Sequence, residues 1–254
     1  MSVYRIVFSP TGGTEKVTDL FEKEFGGESI RIDLTDPKAD YSGYRFCGED
    51  ICIVSVPSYG GRVPDAAISR LLQMKGEGAR AILIAVYGNR AYEDTLVELQ
   101  DTLESCGFLC IAAVAAVAEH SIMHQFASGR PDREDGEELA AFAAAVRSKM
   151  DSAVDCERLD LPGDRPYREY NGVPMKPRAG KACVRCGLCA EKCPVGAIPN
   201  SDPSATDTER CISCMRCIAV CPHNARSANK ALIAAAGIKM KKACSDRKRN
   251  ELFL

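Results

Sequence analysis

The sequence predicts an α/β chain in two parts: a doubly wound, five-stranded parallel sheet over residues 1–150 and a smaller α+β cysteine-rich domain over 176–254, joined by a linker at 151–175. Three observations predict it. Strand-like apolar runs alternate with helix-period segments through the first 150 residues, the pattern of a parallel sheet covered on both faces. The central runs are apolar almost without a break, as in strands buried on both sides. Eight of the 14 cysteines then fall in two short runs late in the chain.

The elements follow in order. VYRIVF (3–8) reads as a first strand ending in a Ser/Thr/Gly turn, and a helix is expected over 14–25. ESIRIDL (28–34) and DICIVSV (50–56) are the second and third strands. Residues 64–74 read as helix, RAILIAVY (80–87) as a fourth strand, 92–106 as helix and FLCIAAVAAVA (108–118) as a fifth strand. The segment 119–136, long for a connection at a ligand edge, precedes a helix over 134–150. Residues 151–180 lack apolar periodicity and contain Pro162, Pro166, Pro174 and Pro177, which reads as a linker or an extended arm across the surface. From about 227 to 254 a basic helical tail is expected, with Lys239, Lys241, Lys242, Arg247, Lys248 and Arg249 on a solvated face rather than on nucleic acid.

Bulk properties narrow the class. No run of about 18 apolar residues suggests a membrane span, and MSVYRIVFSPTGGT lacks the basic start and apolar stretch of an export signal. A cytoplasmic location is expected, where closely spaced cysteines mean metal rather than disulfide. The net charge of −2 hides an asymmetry: residues 175–254 hold 15 Lys and Arg against 6 Asp and Glu, a formal +9, leaving 18 against 29, or −11, for the rest. The cysteine domain is therefore expected to dock on an acidic domain, its own or that of a second copy in a homodimer.

The two runs are Cys183-x2-Cys186-x2-Cys189-x3-Cys193-Pro194 and Cys211-x2-Cys214-x2-Cys217-x3-Cys221-Pro222, an internal repeat offset by 28 residues. Three cysteines at i, i+3 and i+6 wrap one iron–sulfur cubane, while the fourth, before proline, ligates the other cluster in two-cluster ferredoxins. Cys183, Cys186, Cys189 and Cys221 are thus assigned to one [4Fe–4S] cluster, and Cys193, Cys211, Cys214 and Cys217 to a second. Four-cysteine zinc sites also use CxxC pairs, but they do not call for the third cysteine and the Cys-Pro in both copies. The region resembles the bacterial two-cluster ferredoxins over 176–228, which implies one-electron transfer at low potential, with Gly187 and Gly196 suited to tight backbone. Cys47, Cys52, Cys106, Cys110 and Cys156 are scattered and read as small packing residues; Cys244 has no assigned role.

Three loops leave the C-terminal strand ends, where open α/β sheets bind ligands. They are Ser9-Pro10-Thr11-Gly12-Gly13-Thr14, Pro57-Ser58-Tyr59-Gly60-Gly61-Arg62 and Tyr87-Gly88-Asn89-Arg90-Ala91-Tyr92. The first fits a phosphate at a helix N-terminus, although a plain capped turn reads similarly. Aromatics and glycines in the other two suit a flavin ring. On these residues the N-terminal part resembles flavodoxin, which implies strand order 2-1-3-4-5 and FMN. Ser9, Thr11, Gly12, Gly13 and Thr14 match the phosphate loop; Ser58, Tyr59, Gly60 and Gly61 match the first ring loop; Gly88, Asn89 and Tyr92 match the second, with Tyr59 and Tyr92 as stacking aromatics. Pro10 departs from the pattern by removing a hydroxyl donor, and Arg62 and Arg90 stand where flavodoxins tend to be acidic. These two cations are expected to favour the reduced, anionic flavin.

The whole chain resembles the flavodoxin–ferredoxin fusion proteins of anaerobes. The function this implies is an electron relay between bound FMN and two [4Fe–4S] clusters, serving redox-protein partners. The alternatives are a flavin-dependent oxidoreductase acting on a small molecule, and a binding module without FMN, against which the Thr/Gly loop and Tyr92 argue.

Overall fold

The computed structural model describes residues 2–26, 28–151 and 157–254; Cys156 lies outside them. Period-two packing builds the sheet. In β3 (Ile51–Pro57), Ile51 and Ile53 face one side while Cys52, Val54 and Val56 face the other. In β4 (Arg80–Tyr87), Ile82, Ile84 and Val86 alternate in the same way with Ala81, Leu83, Ala85 and Tyr87. With β1 (Val3–Val7), β2 (Ser29–Asp33) and β5 (Leu109–Val117) they form a parallel ladder in the order β2-β1-β3-β4-β5. This is the flavodoxin-like order expected from the sequence.

Helices cover both faces. Val17 and Phe21 of α1 (Gly13–Glu22) and Leu139, Ala143 and Val146 of α4 (Arg133–Asp151) fill one side. Leu71 of α2 (Asp65–Leu71) and Leu96, Leu99 and Leu103 of α3 (Thr95–Ser105) fill the other. Cys52, Cys106 and Cys110 are buried in that second core as small apolar side chains. Each fully buried Ile or Leu contributes about 1.5–3 kcal/mol relative to an exposed one.

After α4 an arm runs along α3 and anchors there by both kinds of force. Leu159 and Leu161 enter the core beside α3. Arg158 pairs with Asp101 and Glu104, Arg165 with Asp101, and Arg168 with Glu93. The Arg165 hydrogen bond above all holds the Asp101 carboxyl down at about 2. Part of the acidic charge around α3 is thus met by this arm rather than by the cysteine domain.

The cysteine domain follows, with β6 (Arg178–Ala179) paired antiparallel to β7 (Arg226–Ser227) and two short helices, α5 (Leu188–Glu191) and α6 (Arg216–Ala219). It meets its own N-terminal domain through apolar packing, such as Ile122 beside Met215 and Ile233, and through arginines on backbone carbonyls. Arg216 donates to Ser9 and Pro10, and the buried Arg70 to Leu34 and Pro194.

The tail departs from expectation. It is helical only over α7 (Lys230–Cys244); the chain then turns back, and β8 (Glu251–Phe253) pairs antiparallel with β5 through Ala113↔Phe253, Val114↔Leu252 and Ala115↔Glu251. The sheet therefore has six strands. The physical reason is the edge: β5 is apolar and buried, and without a neighbour it would expose a row of unpaired backbone groups. Leu252 packs on one core and Phe253 on the other. Arg247 pairs with Asp132 and Glu134, so this part of the basic run is bound rather than solvated. Cys244 is buried against Met123 and Phe126.

Asn250 is the lock on this returning strand. Its Oδ1 accepts from the Val117 amide at 2.9 Å, and its Nδ2 donates to Asp135 at 3.1 Å and Glu138 at 2.7 Å. Asn250→Ala is expected to destabilise the chain by about 2 kcal/mol, since it strands the buried Val117 amide and removes a donor from the buried Asp135 and the half-buried Glu138. In a melting experiment this should lower Tm by about 4–8 °C; an unchanged Tm would show that β8 is held by its backbone ladder alone.

Candidate functional site

The two cysteine runs fold into two copies of one loop. Arg185 and Ser213 have φ of 56° and 55°, and Gly187 and Met215 have 83° and 62°, each pair 28 residues apart. Helices α5 and α6 start at the next position in each copy. The amides of Ala197 and Ala225 donate to Cys193 Sγ (3.2 Å) and Cys221 Sγ (3.3 Å). Backbone N–H groups thus already point at the sulfurs of both Cys-Pro pairs.

The structure gathers the sulfurs at two places. Cys183, Cys186, Cys189 and Cys221 line one small cavity. Cys193, Cys211, Cys214 and Cys217 line a second of the same size. Among the described residues no group of three or more His, Cys, Asp or Glu is arranged to hold a single metal ion. Four soft thiolates around a cavity are the donor set of an iron–sulfur cubane, so the residues fit that group. The cavities differ in depth: Cys186 of the first is exposed, whereas Cys193 and Cys214 of the second are buried. They are called the outer and inner cavities below.

A third space, a cleft, opens at the C-terminal ends of β1, β3, β4 and β5. Thr11, Gly13 and Thr14 line it from the first loop, Ser58, Tyr59 and Gly60 from the second, and Gly88 and Arg90 from the third. Ser9 and Gly12 shape the first loop from behind: Ser9 Oγ accepts from the Glu15 amide at 2.9 Å, and Gly12 is the left-handed N-cap of α1. Burial, reinforced by the nearby Cys214 thiol, pushes the Tyr59 hydroxyl well above its ordinary range, so it stays protonated.

Several expected residues are elsewhere. Asn89 does not line the cleft. It is buried, donates to the carbonyls of Cys244 and Asp246 at 2.8 Å, and accepts from the Lys248 amide. Tyr92 is also outside; it packs on Tyr87, and its hydroxyl donates to Glu251 at 3.0 Å. Both receive the returning tail, which competes for the surface next to the third loop. Gly61 lies beneath Glu93 and Arg168. Arg62 is held by Glu98 (2.9 Å) and lies over the Tyr167 ring, so of the two expected cations only Arg90, paired with Glu93 at 2.6 Å, reaches the cleft wall.

Other cleft residues come from segments without sequence periodicity. Tyr170, Val173 and Met175 of the arm and His120, Ser121 and Ile122 of the 119–136 loop line it. The arm supplies the second aromatic that had been expected at Tyr92. Two glycines are explained by these neighbours. A Cβ on Gly60 (φ +63°) would meet the Tyr170 ring, and one on Gly88 would lie 2.8 Å from His120. The cysteine domain closes the cleft with Ile212 and Ser213, and Ile212 also lines the inner cavity.

Comparison with known proteins gives the following. Residues 181–198 and 205–227 match the 4Fe-4S binding domain family. No curated protein matches the chain. Among solved structures, a flavodoxin of Streptococcus pneumonia TIGR4 is 22% identical, covering 58% of this chain and 99% of its own, with a TM-score of 0.43. Flavodoxin 1 of Bacillus cereus is 19% identical (58% of this chain and 98% of its own, TM-score 0.44). The two-electron reduced flavodoxin of Megasphaera elsdenii is 15% identical (56% and 98%, TM-score 0.39). No helix among the described residues is long and apolar enough to cross a membrane.

His120 yields a test of the cleft wall. Its Nδ1 accepts from the amides of Ile122 (3.1 Å) and Met123 (3.2 Å), and burial lowers its pKa to about 4. The ring is therefore neutral at pH 7, with its proton on Nε2. Because an unfolded histidine titrates near 6.5, the folded chain binds fewer protons than the unfolded one between these values. Stability should fall as pH drops from about 6.5 to 4, by up to about 3 kcal/mol from this residue. In His120→Asn the stability–pH profile should be flatter over that window; parallel profiles for the two proteins would refute the assignment.

Proposed function

We propose that this fusion of a flavodoxin-like sheet with a 4Fe-4S binding domain relays electrons between FMN in the cleft and two [4Fe–4S] clusters in the cavities, joining a two-electron redox partner to a one-electron one. The observation that carries the reading is Ile212, which stands in the wall of both the cleft and the inner cavity. Cleft and inner cavity are thus separated by about one side chain, and electron transfer rates fall steeply with distance.

FMN, when bound, exchanges electrons singly or in pairs, whereas each cluster exchanges one. The chain's residues divide the work around them. The Thr11 and Thr14 hydroxyls and the N-terminus of α1 offer donors to a phosphate. Tyr59 from the sheet and Tyr170 from the arm supply aromatic surface for a ring. Arg90, its charge shared with Glu93, sets a cation in the wall. The arm and the Ile212–Ser213 loop exclude water from the side nearest the inner cavity. At the other end, the exposed Cys186 and Val184 mark the outer cavity as the place where a one-electron redox protein would dock.

A second reading, reduction of a small molecule in the cleft, is favoured by His120, which carries a proton in the cleft wall. Spectral titration of the reduced protein against candidate acceptors separates it from the relay: reoxidation by a small molecule, with turnover, would favour the enzyme.

Anaerobically purified protein should contain about eight iron and eight sulfide ions with one FMN per chain, and show flavin bands over a broad iron–sulfur absorbance. Absence of flavin would end this reading. In stopped flow, a protein-sized one-electron donor should reduce the flavin of the intact chain rapidly. Cys211→Ala/Cys217→Ala, which removes two inner ligands, should slow that step by orders of magnitude; an unchanged rate would mean that electrons bypass the inner cavity.

A further inference from the structure

Set at their 28-residue offset, the two cysteine runs match Cys193-Pro-Val-Gly-Ala-Ile198 with Cys221-Pro-His-Asn-Ala-Arg226. The fold keeps the correspondence: Ile198 lines the inner cavity and Arg226 the outer. Both side chains are buried, Ile198 at 4% exposure and Arg226 at 3%. One copy therefore carries a methyl-bearing side chain where the other carries a guanidinium.

The guanidinium is aimed. Arg226 Nε donates to Cys189 Sγ at 3.2 Å, a ligand of the outer cavity. Its Nη atoms donate to Thr206 Oγ1 (2.9 Å) and to the carbonyls of Pro203 (2.6 Å) and Ala205 (2.9 Å). Thr206 belongs to the inner wall, so the cation lies between the two cavities, with its side-chain hydrogen bond to sulfur on the outer side. All these partners are neutral oxygens or a thiol, and a buried cation without a counter-charge is costly. An anion in the outer cavity would remove that cost.

We propose that Arg226 sets the order of the two potentials, raising that of the outer cluster above that of the inner one, so that at equilibrium an electron shared between them resides at the surface end. This rests on the reading that both cavities hold [4Fe–4S] clusters. The warrant is electrostatic. On taking one electron, a cluster with its four thiolates goes from a charge of about −2 to about −3. A fixed cation in a low-dielectric interior stabilises the more negative form, and an N–H···S hydrogen bond does so too. Ile198 provides the inner cluster with neither; the one guanidinium in the inner wall, Arg216, turns its Nη1 to the Ser9 and Pro10 carbonyls, and the Arg226 charge reaches the inner ligand Cys217 without a hydrogen bond to it.

The test is a redox titration followed by EPR, with an aqueous paramagnetic relaxation agent to mark the signal of the outer cluster, whose Cys186 is exposed. In the native chain the signal reduced first should be the one the agent broadens; first reduction of the shielded cluster overturns the proposal. Arg226→Ile, which installs the residue of the other copy, should lower the outer potential by about tenfold or more in the electron-sharing equilibrium, 59 mV for a one-electron couple, with a smaller change at the inner cluster. An outer potential unmoved at full iron content overturns it as well. Should Arg226→Ile fail to assemble clusters, Arg226→Gln, which keeps an N–H donor but no charge, is read by the same criterion. Native protein lacking two clusters would refute the relay itself, an outcome iron analysis separates from an unshifted potential.

Discussion

The pairing of β8 on β5 fixes where everything else can be. The chain leaves the flavodoxin-like sheet after α4 and returns to it at Glu251–Phe253, so the cysteine domain is an insertion between two elements of one sheet. Held at both ends, it searches a small volume, and its effective concentration at the sheet's C-terminal edge is high. Open α/β sheets place their ligand crevice at that edge. A second domain tethered across the crevice must therefore form part of its wall, and Ile212 and Ser213 do so. A single-ended linker would have allowed docking without requiring it.

Charge supports this tether at particular points. The acidic first domain concentrates carboxylates along α3 and at the start of α4. The arm answers the first set with Arg158 and Arg165, and Glu93 just before α3 with Arg168, while the tail answers the second with Arg247 on Glu134. Partly exposed pairs of this kind contribute little singly, but together they define a path over the surface. Where the cysteine core itself meets the sheet, the contacts are of another type: Arg70 and Arg216 meet backbone carbonyls, whose partial charge is present at any pH.

The features legible in the sequence were those whose chemistry is local. A buried strand is visible because its own residues are apolar; a cluster loop is visible because four thiolates within eleven positions have few other uses. The five strands, the two cysteine runs and the Thr11–Thr14 and Ser58–Gly60 loops were accessible for that reason, while the strand order came with the resemblance those loops carry. Asn89 and Tyr92 misled because their residue types suit both a flavin and a polypeptide. The competitor was Glu251 with its neighbours, about 160 positions away and without strand periodicity. Tyr170 was illegible for the converse reason. It lies in a segment without repeating pattern, and it reaches the cleft only because flanking arginines and leucines pin the arm to α3.

The internal repeat shows how two similar loops acquire different roles. Backbone is retained: φ at 185 and 213, φ at 187 and 215, and the Ala197 and Ala225 amides on sulfur all repeat. Whatever binds in the two cavities thus meets nearly the same first layer of donors. The difference enters one layer out. The inner loop is pressed against the sheet and loses its solvent, while the outer loop keeps Cys186 at the surface. At a single buried position the inner copy has Ile198 and the outer copy Arg226. A duplicated loop would by itself give two equivalent stations, between which an electron has no preferred place. Docking on one side, and one buried cation on the other, remove that equivalence without altering a single ligand.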